Sequence, residues 1–382
     1  MVDIMSMNDQ EMIMKKIPNE FYSTPIVYAV KSTYQIMVPV TCETVMWVKV
    51  GDKCFYDDYN GVLRSDCSVH RMTIPSILLD QEKQYTVYYR VISERKPYYT
   101  VSHDVLAFES NFRPIEKEPV HICHISDTHN HIQAPIAISN YFDEDLDLLI
   151  LNGDIPNHSG DNSYFSNIHK IASQLTNGEI PVVFARGNHD TRGKYAEKLG
   201  DYTPTDFGKT YYTFRVGHIW GIVLDCGEDK SDDHIEYGHT VCFEDFRRRQ
   251  TEYIKEVIDH CQNEYEAEGV KNRLVIAHIP FTQKFEGQFD IENETYTLWS
   301  KLLREHIRPQ LMFGGHVHKA YITNIGDEKD YRGQPCAVIV AAQTRKTEDY
   351  YVGGVMKLYH DHCLVDFVEN NKGAIYSKSI IF

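Results

Sequence analysis

At 382 residues the chain is too long for one ordinary hydrophobic core and comfortable for two domains, one of roughly 100 residues and one of about 250. Its 42% apolar, 25% charged and 12% aromatic content supplies enough buried surface for folded globular domains and excludes extensive disorder. A formal charge of −16, from 39 basic and 55 acidic residues, excludes a general binder of nucleic acid or anionic membrane unless a local basic patch overrides the field.

No such patch stands out. The densest basic run, Arg247-Arg248-Arg249, lies in an expected helix and reads as a solvated face. Neither nucleic acid nor a membrane is expected as a partner, and nothing in the sequence specifies an oligomeric state. The nine cysteines are scattered, include no Cys-x-x-Cys pair, and read as reduced, mostly buried thiols. Residues 1–16 alternate polar and apolar without a continuous apolar segment, and no run of roughly 18 apolar residues occurs, so a cytoplasmic location is expected.

Between residue 26 and about residue 108, short β-rich runs follow one another at 26–30, 35–40, 44–50 and 85–92. Turn signals such as Val50-Gly51-Asp52-Lys53 and Tyr59-Asn60-Gly61 separate them, which predicts an antiparallel sandwich. The stretch from Leu79 to Val87 resembles the corner of a fibronectin type III domain, in which a Leu precedes a strand whose opening Tyr hydrogen-bonds backward; an unrelated sandwich fits nearly as well. The charged, proline-bracketed segment Arg113-Pro114-Ile115-Glu116-Lys117-Glu118-Pro119 then breaks the pattern. It marks a boundary between an N-terminal β-sandwich domain, 1–116, and a second domain, 117–382.

Beyond that boundary apolar strands alternate with longer, helix-compatible stretches, the rhythm of an α/β layered domain. Strands expected at 121–126, 148–152, 182–185 and 273–277 lead into Asp127, Asp154, Asn188 and His278. Helices are expected at 243–263 and 296–307, the second with Leu298, Leu302, Leu303 and His306 at helical spacing, and further strands at 337–342, 354–359 and 374–381.

Side chains at the carboxyl ends of strands in an open α/β sheet converge on one crevice. Here they are Asp127-Thr128-His129, Gly153-Asp154, Gly187-Asn188-His189-Asp190, His278 and Gly315-His316-Val317-His318, all metal-ligand types. Alone, Asp127 suits a helix N-cap as well as a metal, and Gly153-Asp154 suits a turn. In Gly315-His316-Val317-His318, alternate residues of an extended segment would place both imidazoles on one side.

Together and in this order they resemble the signature of the calcineurin-like metallophosphoesterases over residues 122–319. That resemblance implies a four-layer α-β-β-α sandwich with the site at its rim. It implies one metal held by Asp127, His129, Asp154 and His318, and a second held by Asp154, Asn188, His278 and His316. His189 would assist the leaving group, with Asp190 orienting its ring, while a metal-bridging hydroxide attacks phosphorus. The implied activity is two-metal hydrolysis of phosphomonoesters or phosphodiesters of small-molecule type; a catalytically silent scaffold of the same fold that binds protein partners is the alternative, and a zinc-only structural site a third.

Independently, two divalent cations against the carboxylates of Asp127 and Asp154 leave the site about +2 and attractive to phosphate despite the acidic chain. Nitrogen and oxygen donors without thiolate favour Mn²⁺, iron, Zn²⁺ or Co²⁺ over Mg²⁺ or Ca²⁺. Manganese or an iron–manganese pair is expected, with zinc possible. The β-domain in front is also similar to purple acid phosphatases, but Asn157 stands where that subgroup has a metal-binding Tyr, and His129 supplies a histidine that it lacks. Arg186, His131, His158 and His169 lie near the motifs, and the long polar connections at 225–239 and 281–294 flank them.

Overall fold

Runs of Val, Ile and Leu bounded by glycines and polar residues form the strands of the computed structural model, which describes residues 17–141, 146–344 and 349–382. The reading made of residues 1–16 lies outside the described residues. In chain order, the N-terminal region contributes β1 (Ile26–Val30), β2 (Thr33–Pro39), β3 (Thr44–Val50), β4 (Lys53–Tyr56), β5 (Val69–Pro75), α1 (Ser76–Glu82), β6 (Gln84–Lys96) and β7 (Leu106–Asn111). Then come β8 (Val120–Ile125), β9 (Leu148–Asn152), α2 (Ser166–Thr176), β10 (Pro181–Ala185), β11 (Tyr212–Val216), β12 (Ile219–Leu224), α3 (Phe243–Asp259) and β13 (Asn272–Ala277). The chain finishes with α4 (Asn293–Leu302), β14 (Leu311–Gly314), β15 (Tyr321–Thr323), β16 (Ala337–Val340), β17 (Tyr351–Leu358), β18 (His362–Glu369) and β19 (Gly373–Ile381).

The largest sheet runs β19–β18–β17–β8–β9–β10–β1–β2–β5. Its centre, β8, β9, β10 and β1, is parallel. Both faces of those strands are covered, which is why they are apolar without alternation. A second sheet, β11–β12–β13–β14–β16–β15, is parallel from β12 to β16.

The two sheets face each other across one core, with Ile122, Ile150 and Val183 on one side and Leu274, Ile276 and Phe313 on the other. Outside the first sheet, Ile168, Ile171 and Ala172 give α2 an apolar stripe that packs in a cluster with Cys123, Leu149 and Val182. Outside the second, Ile254, Val257 and Trp299 of α3 and α4 cluster with Ile222, Val275 and Val338. The result is the four-layer α-β-β-α sandwich.

The N-terminal region is all β apart from the short α1. Its sheet β7–β6–β3–β4 packs Val48, Val87 and Tyr89 into the same core as Ile36, Ile74 and Ile122. Meanwhile β1 pairs in parallel with β10, Val27 opposite Pro181. Lys31 closes the arrangement, its N–H donating to Thr213 O (2.6 Å) and its carbonyl accepting from Arg215 N (3.0 Å), which ties the two large sheets together at β11.

Four expectations need correction. Tyr85 does not hydrogen-bond backward along its own strand; its hydroxyl donates to Gly178 O (2.8 Å), because the strand lies against the α2–β10 connection. Arg247 is fully buried and donates to Cys226 O (2.8 Å), so only Arg248 and Arg249 form the solvated face, each with an acidic partner one turn away. The expected 296–307 helix begins at Asn293 and changes to a π turn at Leu303–Ile307, which exposes His306 and leaves Tyr296, Trp299, Leu303 and Ile307 as the buried stripe. All nine cysteines are free, but only Cys123, Cys226, Cys336 and Cys363 are buried. Among the described residues no helix is long and apolar enough to cross a membrane.

Candidate metal centre

The carboxyl ends of both sheets meet at one rim. From the first sheet, β8 delivers Asp127 and His129, β9 delivers Asp154, and β10 delivers Asn188 and His189. From the second, β13 delivers His278 and β14 delivers His316 and His318. Backbone bonds hold the turns against one another: Asp127 N to Gly153 O (3.0 Å), His129 N to Asp154 O (3.0 Å) and Gly315 N to His278 O (2.7 Å). The turns must approach closely, and glycine permits it. A Cβ on Gly315 would meet the side chains of Ser126 and Asp127, and one on Gly187 would meet the Asp154 carboxylate.

Five of the gathered side chains sit on left-handed backbone: Asp127 (φ 51°), His129 (45°), Asp154 (54°), His316 (70°) and His318 (51°). Each costs of order 1 kcal/mol or more, and such residues cluster where a site demands them. This corrects the extended reading of the His-x-His segment. His316 and His318 serve different neighbours.

On one side, Asp127, His129 and His318 bring ligand atoms within 4.8 Å of one another; on the other, Asp154, His278 and His316 do the same. His318 Nε2 is 3.3 Å from Asp127 Oδ1 and 3.0 Å from His129 Nε2. His278 Nε2 is 3.2 Å from Asp154 Oδ2, and His316 Nδ1 is 3.0 Å from Asn188 Oδ1. His129, Asp154 and His189 form a third group that joins the two halves. All the residues singled out in the sequence for metals are therefore neighbours.

The electrostatics suit cations. Asp127 and Asp154 are fully buried, yet the adjacent histidines hold both carboxyls below the usual range against the cost of burial. Burial opposes a charge on His278, but the same two carboxylates push it up to about 10. Burial lowers His129 and His316 to about 4, which keeps them neutral and able to donate lone pairs. The buried Nδ1 of His129 has no hydrogen-bond partner among the described residues, and His278 Nε2 faces the Asp127 and Asp154 carboxylates. Carboxylate and imidazole donors gathered in this way fit a pair of borderline metal ions.

Around this floor stand residues that orient it. Ser126 Oγ sits between the Asp127 carboxylate and Asn152 O, with one proton to give to either, and His278 Nδ1 donates to Asn152 O (2.6 Å), which turns Nε2 toward the carboxylates. His189 Nδ1 donates to Asn157 O (2.8 Å), so its Nε2 faces the site. Among the described residues no hydrogen bond joins Asp190 to that ring. Its Oδ2 accepts from Gly187 N (2.7 Å) and Asp154 N (3.2 Å), and burial with the Asp154 charge pushes its carboxyl up to about 8. Asp190 thus braces the two motif turns.

Sequence reasoning missed a buried ionic network beside His189. Arg192 donates to both Glu228 and Asp229, and its Nη1 lies 3.4 Å from His189 Nε2. Both acids are buried in what read as a polar loop, and the adjacent Cys226-Gly227 was the available signal. Arg186 pairs with Asp225 (2.7 Å) and stacks near Phe246, away from the ligands. His169 is buried and bonds Tyr202 O (2.8 Å), while His158 accepts from Gly160 N (3.0 Å); neither joins the cluster.

The sequence model of the family described as calcineurin-like phosphoesterase matches residues 120–320, just over half the chain. Among solved structures, a purple acid phosphatase from yellow lupin (Lupinus luteus) seeds is similar in fold, with 14% identity and a TM-score of 0.55 over 94% of this chain and 74% of that one. A structure of PhoD aligns with 12% identity and a TM-score of 0.55 over 95% of this chain and 90% of that one. A comparison with curated proteins finds no match.

Proposed function

The chain belongs to the calcineurin-like phosphoesterase family, and from this premise we propose that its rim cluster is a binuclear centre hydrolysing small phosphomonoesters or phosphodiesters. The chain is accordingly a metal-dependent phosphoester hydrolase. In the proposed assignment Asp127, His129, Asp154 and His318 hold one metal, and Asp154, Asn188, His278 and His316 hold the other. Manganese or an iron–manganese pair matches the nitrogen and oxygen donors best, with zinc the alternative. When bound, the pair supplies positive charge at the phosphoryl oxygens and acidifies water.

The observation that carries the reading is the position of Asp154. Its Oδ1 accepts from His189 N (2.8 Å) while its Oδ2 lies 3.2 Å from His278 Nε2 and 4.0 Å from His189 Nε2. One carboxylate thus touches a ligand group and the proposed catalytic residue.

His189 has a defined task. A carbonyl oxygen only accepts, so the Asn157 bond fixes a proton on Nδ1, and Nε2 is the nitrogen that, in the imidazolium form, carries the second proton passed to the leaving oxygen. Arg192 Nη1 lies 3.4 Å from that same nitrogen, against the edge of the ring that faces the site. Asp190 holds the Gly187 and Asp154 amides in place. Residues 117–382 are proposed as the catalytic domain and 1–116 as an N-terminal β-domain, the two sharing one sheet through the pairing of β1 with β10.

The test is hydrolysis of p-nitrophenyl phosphate and bis-p-nitrophenyl phosphate by chelated protein reconstituted with Mn²⁺, beside Asp154→Asn and His189→Ala. Metal-dependent turnover is expected, lost in Asp154→Asn and reduced about 10²–10⁴-fold in His189→Ala with metal content retained. Turnover that survives Asp154→Asn would sink the assignment.

A further inference from the structure

A cleft of about 520 Å³ opens on the metal-site floor, a size suited to a small ligand. Its floor includes Asp154, Asn188, His189, His316 and His318; its walls carry three lysines, Lys284, Lys319 and Lys329. We infer that this cleft takes phosphoesters bearing a second anionic group, phosphate or carboxylate, which the three lysines receive. The inference rests on the phosphoesterase reading of the same site.

Charge is the first argument. In a chain with 16 more acids than bases, three ammonium groups share one cleft. On the walls a single carboxylate, Glu286, opposes them, because Asp229 is already paired with Arg192 and Lys230. Among the described residues none of the three lysines forms an ion pair. Their positive charge is therefore uncommitted, and it lies beyond the centre that would hold the first phosphoryl group.

Order is the second. Lys284 Nζ rests 4.9 Å from the ring centroid of Tyr331, and Lys329 Nζ 5.0 Å from that of Tyr321. Aromatic faces position an ammonium group without consuming its three N–H donors, as a carboxylate would. Tyr321 is itself anchored, its hydroxyl donating to Gln283 Oε1 (2.7 Å). Gln283 is 4% exposed, lines the cleft, and its Nε2 is buried without an acceptor among the described residues.

A monoester with one anionic group uses the metal centre alone, whereas a bisphosphate also reaches the lysines. Three exposed charge contacts at a few tenths of a kcal/mol each correspond to about tenfold in kcat/KM, eroded by salt.

The experiment compares fructose 1,6-bisphosphate with fructose 6-phosphate as substrates of the full Mn²⁺-loaded chain, with p-nitrophenyl phosphate as reference. The same ratio is then measured for the triple variant Lys284→Ala, Lys319→Ala, Lys329→Ala and for its Lys→Arg counterpart. The expected result is about tenfold preference for the bisphosphate at low salt, reduced to within about twofold in the alanine variant and kept in the arginine one. Equal kcat/KM for the two sugars, or a preference that the alanine variant retains, overturns this inference alone. Absence of turnover on all three compounds by the metal-loaded wild type overturns the phosphoesterase reading as well.

Discussion

His129 and His318 stand 189 residues apart in the chain, yet their Nε2 atoms face each other at 3.0 Å, with Asp127 Oδ1 3.3 Å from the second. Two imidazole nitrogens and a carboxylate oxygen converging on one point are reconciled by a cation that binds only the folded chain. Chelation is therefore expected to lower the thermal midpoint and Mn²⁺ to restore it, the stabilisation reaching about 3 kcal/mol at a hundredfold excess over Kd. Calorimetry with and without chelator measures this, and identical melting in both would argue against a cation there.

Metal content should separate the two halves. His129→Ala and His318→Ala each remove a donor from the Asp127 group and are expected to leave about one equivalent bound, with the double variant little worse than either single. Asp154→Asn touches both groups and is expected to lose most of both metals. Elemental analysis after dialysis reads the result.

Gly315→Ala places a methyl group against Ser126 Oγ and the Asp127 carboxylate. Either side chain must move, so a destabilisation of about 1–3 kcal/mol is expected. Displacing a ligand by even a fraction of its bond length also loses activity, by roughly tenfold or more. Denaturant titration and kcat/KM on one preparation check both effects.

A pH dependence follows from His169, which lies outside the metal cluster. Burial lowers it from 6.5 to about 4, and its ring bonds Tyr202 O (2.8 Å). Between those values the unfolded chain binds a proton that the folded chain does not, so folding stability is full above pH 6.5 and falls as pH drops toward 4. The stability difference between wild type and His169→Gln should be constant above pH 6.5 and shrink below it, by roughly 3 kcal/mol in all. A difference that does not change with pH would show that the ring titrates alike in the folded and unfolded chain.

Asn157 uses its carbonyl to orient His189 and its N–H to reach Asn130 Oδ1 (3.2 Å). With no tyrosine at that position, iron-loaded protein is expected to lack a tyrosinate-to-iron charge-transfer band. An absorption spectrum that shows purple colour would overturn this.

Much of the fold was readable because β8, β9, β10 and β13 are short apolar runs that end abruptly in Asp, Asn or His. Their neighbours β11 and β12 were missed, since Tyr212-Thr213-Phe214-Arg215-Val216 has no single period and its pairing with β12 is decided by the sheet. The burial of Arg247 was hidden for a related reason. It reads as one of three arginines until Cys226 O and Glu292 are brought to it from other segments.

The order and identity of the candidate ligands were determined by the sequence itself, because each motif is a run of one to four contiguous residues whose chemistry does not depend on distance. Which residues become partners was decided by tertiary structure. His316, on left-handed backbone, meets Asn188, and His318, also left-handed, meets Asp127, pairings that exist only once the turns are packed together. Asp190 braces amides while Asn157 orients His189, since only the packed turns place a carbonyl beside that ring. Local pattern carries chemistry, but contact between turns from two sheets depends on how the sheets stack, and that is set by the whole core at once.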